Sequence, residues 1–276
     1  MRTRLFCLIA VGVTLQIPAF AAAVTFSASG PLITDIVSTV TNFRAALGTL
    51  NPNVAGSFGT GRREINWDGV ADSLSAPNNL PANFFNSNSP RGVVFSTPGT
   101  GFQVSSNLGT GADQFGNIDP TYPTLFQPFS SPRLFTALGS TITDVNLFVP
   151  GSLTPAFTNG FGVVFSDVDS ANATSLQFFD VNNSSLGTFF APAATGNETF
   201  SFVGVVFNAG EQVGRVRVTS GSQILASGNT ANDLVVMDDF IYGEPNATAA
   251  AVPEPASWLL AAAGTCVFVI RRRLRA

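Results

Sequence analysis

Histidine and lysine are absent from this sequence, and all 13 basic residues are arginine. Cysteine occurs only at Cys7 and Cys266, both inside terminal apolar runs. The stretch from Val24 to Val252 therefore contains no His, Lys or Cys. A Ser-His-Asp triad needs an imidazole near neutral pKa, so that stretch cannot build one. A Cys nucleophile, a Lys Schiff base and a His/Cys zinc site are excluded with it. No disulfide can brace the stretch, which leaves core burial, with or without a metal, to stabilise it. Charge is also scarce. Charged residues are 11% of the chain, less than half of the ~25% usual in soluble domains. No basic field is available to neutralise phosphates, which excludes a nucleic-acid partner. Hydrophobic content of 45% with so little charge excludes disorder as well. What remains is carboxylate chemistry, oxygen-ligated metal binding, or no catalysis.

The charge that is present is segregated. The central stretch carries seven arginines against sixteen acids, a net of −9. The other arginines sit at the two ends: Arg2 and Arg4, then Arg271, Arg272, Arg273 and Arg275. At the first end, two charges precede an uncharged apolar run from Leu5 to Phe20. Small-x-small patterns follow at Ala19–Ala21 and Ala21–Ala23. This layout predicts a secretory signal peptide over residues 1–23, cut by signal peptidase. Cys7 lies too early to be a lipidated cysteine and reads as apolar filler.

At the other end, Val252-Pro-Glu-Pro255 precedes an apolar run from Ala256 to Ile270 and then the arginine cluster. Trp258 and the snorkelling arginines lengthen the run enough for a transmembrane helix, with the cluster on the cytoplasmic side. Residues 252–276 resemble a PEP-CTERM sorting signal: proline motif, apolar helix and basic cluster, in that order. The resemblance implies an exported protein of Gram-negative type, recognised at Pro253, Glu254 and Pro255 by an exosortase in the membrane. It implies an inner-membrane-anchored intermediate, then a cell-surface or extracellular-matrix location linked to biofilm. The physical logic agrees, because the two prolines stop a helix and leave an extended strip beside the membrane.

The central stretch, residues 24–250, reads as one all-β domain. Ile33, Ile36, Val37, Val40, Phe43 and Leu47 recur at three- and four-residue spacing and predict a short helix near 35–47, with Gly48 past its end. From Arg62 onward, short apolar runs alternate with turn residues. Arg91–Phe95, Asp144–Val149, Gly160–Phe165, Ser175–Val181, Thr199–Phe207, Gly214–Val218 and Leu234–Tyr242 predict strands. Such a series predicts an antiparallel β-sandwich or jelly roll. The 26 phenylalanines would line its inner faces. Residues 97–133, rich in Gly, Pro, Ser and Thr, are expected to be loops. Their glycines cannot form a phosphate loop without a lysine.

Three groups of candidate site residues stand out. Asp167-Val-Asp169 is a carboxylate pair suited to Ca²⁺, although Ala171 and the missing closing Glu rule out an EF-hand. The competing reading is an Asx-rich turn. Asp238, in phase with Val236, Phe240 and Tyr242, is expected to point inward and to need an arginine or a metal. Arg62–Val70 resembles a segment of other PEP-CTERM proteins with no activity attached. Trp67 and Tyr122 are the two aromatics free to stack on a ligand. The alternative puts Trp67 in the core, with Arg63 and Glu64 as local ion partners. No catalytic residue is assigned, and Glu64, Glu198, Glu211 and Glu244 sit in no catalytic motif.

Three functions follow as alternatives. The first is a non-enzymatic exported surface or matrix protein. The second is a module binding extracellular polysaccharide, with or without calcium. The third is a glycoside hydrolase using paired carboxylates. Exposure of Trp67 and Tyr122 would favour the second, and burial of both the first.

Overall fold

A computed structural model describes residues 23–229 and 233–248. The expected leader, the sorting motif, its helix and the arginine cluster lie outside the described residues. Among those described, no helix is long and apolar enough to cross a membrane. In chain order the elements are β1 (Ala23–Gly30), α1 (Ile33–Leu47), β2 (Arg62–Ile65), α2 (Phe84–Ser87), β3 (Val93–Ser96), β4 (Gly101–Val104), β5 (Phe135–Leu138), β6 (Ile142–Leu147), β7 (Ala156–Phe157), β8 (Gly160–Ser166), β9 (Ser175–Asp180), β10 (Ser185–Phe190), β11 (Phe200–Phe207), β12 (Val213–Thr219), β13 (Val236–Gly243) and β14 (Asn246–Ala247).

Two antiparallel sheets face each other. The first runs β1-β11-β8-β13-β5-β4, with β2 paired to the far half of β13; the second runs β10-β9-β12-β6-β3. Period-two alternation places the core between them. Val145 and Leu147 of β6, Phe178 of β9 and Val216 and Val218 of β12 meet Phe161, Val163 and Phe165 of β8 and Val203 and Val205 of β11. The outer face of the second sheet is polar, where Arg215 and Arg217 both hold Asp144 at 2.7–2.9 Å.

The first sheet is covered on its other face too, which is why β8, β11 and β13 are buried along their whole length. Helix α1 lies there, burying Ile36, Val40, Phe43 and Leu47. The floor beneath it is cut to fit. Phe26, Gly204, Gly162 and Ile241 are register neighbours across β1, β11, β8 and β13. The two central glycines leave a dent that receives the Phe43 ring. A Cβ on Gly162 would come within 2.7 Å of that ring, and one on Gly204 within 2.8 Å. Phe26 and Phe202 close on it edge-on, at 5.5 and 5.4 Å between centroids. The helix begins two residues earlier than its periodicity predicts, where Asp35 accepts the Leu32 N–H at 2.9 Å, and ends at Gly48 with φ of 95°.

Residues 97–133 depart from expectation. They contain β4, which pairs with β5, and a 3-10 turn at Tyr122–Thr124. Phe115, Tyr122, Phe126 and Leu134 form a small third core with Leu225, Leu234 and Val236. The segment reads as loop because its apolar residues are isolated, yet they converge in space.

Candidate functional site

The Arg62–Val70 segment starts as β2, so its side chains alternate. Arg63 and Ile65 face the core while Arg62 and Glu64 face α1. Arg63 and Glu64 are therefore not each other's partners, a correction that follows from the pleat. Arg63 is fully buried, and its five N–H groups are all engaged. Nε and Nη2 hold Glu244 at 2.8 and 2.9 Å, while the remaining three bond the carbonyls of Val54, Pro90 and Gly56 at 2.7–3.0 Å. Glu244 also accepts from Asn51 Nδ2 and Phe58 N. This ion pair ties the 51–60 loop to the end of β13.

Glu64 turns the other way. Arg44 of α1 reaches it with Nη2 at 2.8 Å and Arg62 with Nε at 2.6 Å. The same Arg44 Nη2 lies 2.9 Å from Asp239. Arg44, Glu64 and Asp239 line a cleft of about 370 Å³ with Asn51, Asn66 and Arg91.

Asp238 and Asp239 sit where β13 bulges. Met237 pairs with Phe165 and Phe240 with Val163, so three steps on β13 match two on β8. The extra residue breaks the phase that would have put Asp238 beside Phe240 and Tyr242. Asp238 is buried as expected, and among protein groups its carboxylate accepts from Phe129 N and Ser130 rather than from an arginine. Ser130 Oγ lies 3.0 Å from Asp238 and 2.6 Å from Asp239. One hydroxyl proton cannot serve two carboxylates. Burial, then the charge of Asp239, pushes the Asp238 carboxyl well above the usual range. A proton on Asp238 lets it donate to Ser130 while Ser130 donates to Asp239, which keeps the charge facing Arg44. Nearby, burial raises Asp68 to about 6, opposed by the Arg133 N–H and reinforced by Asp239.

Trp67 and Tyr122 are core residues, not stacking residues, at 1% and 0% exposure. Trp67 stacks on Phe135 at 4.0 Å and donates to the Asp238 carbonyl at 2.8 Å. Tyr122 holds the 226–229 turn, accepting Ala226 N–H at 3.0 Å and donating to its carbonyl at 2.8 Å. Both rings bury large area and satisfy their polar tips indoors.

The calcium candidates do not form one set. Asp238 belongs to the bulge. Asp167 and Asp169 follow β8 in a loop that also meets Asp233, which sequence reasoning missed because it lies far along the chain. Burial, then Asp169, Asp233 and Glu198, raises Asp167 to about 7. Asp169 is raised as well, by burial and then by Asp233. Among the described residues, no three His, Cys, Asp or Glu side chains form a ready metal cage.

Residues 251–273 match the family model of the PEP-CTERM protein-sorting motif. That span covers Pro253, Glu254, Pro255 and the first three arginines of the cluster. The chain thus carries a sorting signal that implies export, membrane-associated sorting and an exosortase as processing partner. Comparison with curated proteins gave no match. Among solved structures, the enzymatically active domain of bacteriophage CBA120 tailspike protein 4 aligns at 14% identity and a TM-score of 0.30. The alignment covers 63% of this chain and 22% of that chain. A likeness at this score carries no argument about activity.

Proposed function

We propose that the protein is an exported, non-catalytic β-sandwich that an exosortase cuts at Pro253-Glu254-Pro255 and delivers to the cell surface or extracellular matrix. The match of residues 251–273 to the sorting motif carries this reading. Two features of the domain support it over the alternatives. The aromatics that would stack on a sugar are buried. The acids at the α1 cleft face arginines: Glu64 meets two and Asp239 one. A carboxylate neutralised this way is a poor proton donor or nucleophile.

The test is intact mass of the protein from its host's envelope and medium. A species ending near Pro255 and lacking residues before about Val24 is the expected result. Glu254→Gln and Pro255→Ala should accumulate the uncut, membrane-bound form. A native mass that keeps the apolar tail would make the tail a plain anchor and end the exosortase assignment.

A further inference from the structure

Asp167 and Asp169 of the loop after β8 meet Asp233 of the chain entering β13. Asp233 organises them. Its Oδ1 accepts the Asp169 N–H at 3.0 Å and the Ser170 N–H at 2.9 Å. Bonds from Asp167 N to Thr199 O and from Ser222 N to Asp233 O join two further segments. Asp167 lies within electrostatic reach of Asp169, Asp233 and Glu198. Asp167 is 3% exposed and Asp233 1%. Their oxygens Asp167 Oδ1 and Asp233 Oδ2 are buried and meet no donor.

Buried carboxylate oxygens normally have a partner, because desolvation without one is costly. This chain has no lysine or histidine to supply it. The arginines among the described residues are engaged elsewhere. Arg44 and Arg62 hold Glu64, Arg63 holds Glu244, Arg133 holds Asp72, and Arg215 and Arg217 hold Asp144. Arg91 packs over the Phe85 ring. The cluster therefore gathers carboxyl groups with no internal counter-charge.

We propose that Asp167 and Asp233 are ligands of one calcium ion, bound through these two buried oxygens with Asp169 and Glu198 at its margin. The donor set is all oxygen, which suits a hard cation better than zinc. Two carboxylates leave most of the roughly six to eight oxygen positions of Ca²⁺ to backbone carbonyls and water. Mg²⁺ is a poorer fit, because it demands near-octahedral geometry and gives up its waters reluctantly. So few charged ligands place the affinity on the order of 10⁻⁴ to 10⁻³ M, the range of extracellular calcium modules. The ion would fasten the loop after β8 to the segment leading into β13. This binding does not depend on the sorting signal.

The experiment uses the full chain stripped with EDTA and held at neutral pH. Calorimetric titration with CaCl₂ should give one site per chain. The melting temperature should be clearly raised at about 5 mM CaCl₂ and keep climbing with the logarithm of its concentration. Asp167→Asn, which loses no hydrogen bond, should fold, melt at or above the calcium-free wild type, and bind calcium at least about tenfold more weakly. Asp233→Asn should lose binding as well. Three results would overturn the proposal: no heat or melting shift at that concentration, wild-type calcium affinity in Asp167→Asn, or an equal shift from MgCl₂ or NaCl at matched ionic strength.

Discussion

Arg63 was legible only as part of a charged stretch. Nothing local in Arg62-Arg-Glu shows that the middle residue is sealed in the core with a partner at Glu244, because that pairing depends on β2 lying against the end of β13. Arg63→Met leaves the Glu244 carboxylate buried with its cation gone. The expected loss is about 3–5 kcal/mol in urea unfolding. Arg63→Lys should recover little of it, since an ammonium cannot reproduce the bidentate fork. A loss under ~1 kcal/mol would mean that water enters and solvates the carboxylate. Asp68 gives a prediction with a defined sign. Its folded pKa of about 6 lies above its ordinary value, so the folded state holds a proton that the unfolded chain releases. Its contribution therefore erodes as pH rises from about 4 to 6. In pH-dependent melting, Asp68→Asn should flatten that decline. An unchanged slope would assign the decline to the other raised carboxyls, Asp167, Asp169, Asp238 and Asp239.

At the scale of elements, the strands read from sequence were those dense in Val and Phe: β3, β6, β8, β9, β11, β12 and β13. The missed ones were β1, β2, β4, β5, β7, β10 and β14. They are short or polar, or, like β1, built from the small residues that also mark a leader's cleavage site. Helix α1 was legible from its spacing, but its seat was not. Gly162 and Gly204 look like ordinary strand weakeners until the register sets them side by side beneath Phe43. Gly204→Ala should cost about 1–3 kcal/mol by overpacking. Combined with Phe43→Leu, it should cost less than the sum of the single changes, and a double-mutant cycle reads that coupling. Strict additivity would mean that the helix shifts aside without resistance. The bulge at Asp238-Asp239 was illegible for a related reason. Alternation assumes an even ladder, and one inserted residue reverses the phase beyond it.

At the scale of the molecule, fold class followed from composition and turn spacing, while the pairing order did not. That order is strongly non-local. Both β11 and β13 arise late in the chain, yet they hold β1, β2 and β8 in the first sheet. A chain ended before Phe200 should remain protease-sensitive throughout, although most of its strands are present. A protease-resistant fragment from that truncation would show that the β9–β10 and β3–β6 pairs persist without the β12 strand that joins them. Refolding of the whole domain should fall in the millisecond-to-second range set by long-range β pairing, and stopped-flow fluorescence of buried Trp67 reports it.

The Arg63–Glu244 pair closes a span of 181 residues. On the proposed export route, with the expected leader first, the leading part of the chain enters the new compartment long before Glu244 arrives. Until then the β2 edge has no strand to join and the Arg63 guanidinium has no carboxylate. The β2 end of the first sheet therefore cannot close on the far side until the end of the domain has crossed. The last residues to emerge before the sorting signal supply both the missing strand and the missing counter-ion. Closure of the sandwich and presentation of the proline motif to the membrane enzyme then fall at the same stage of the chain's passage.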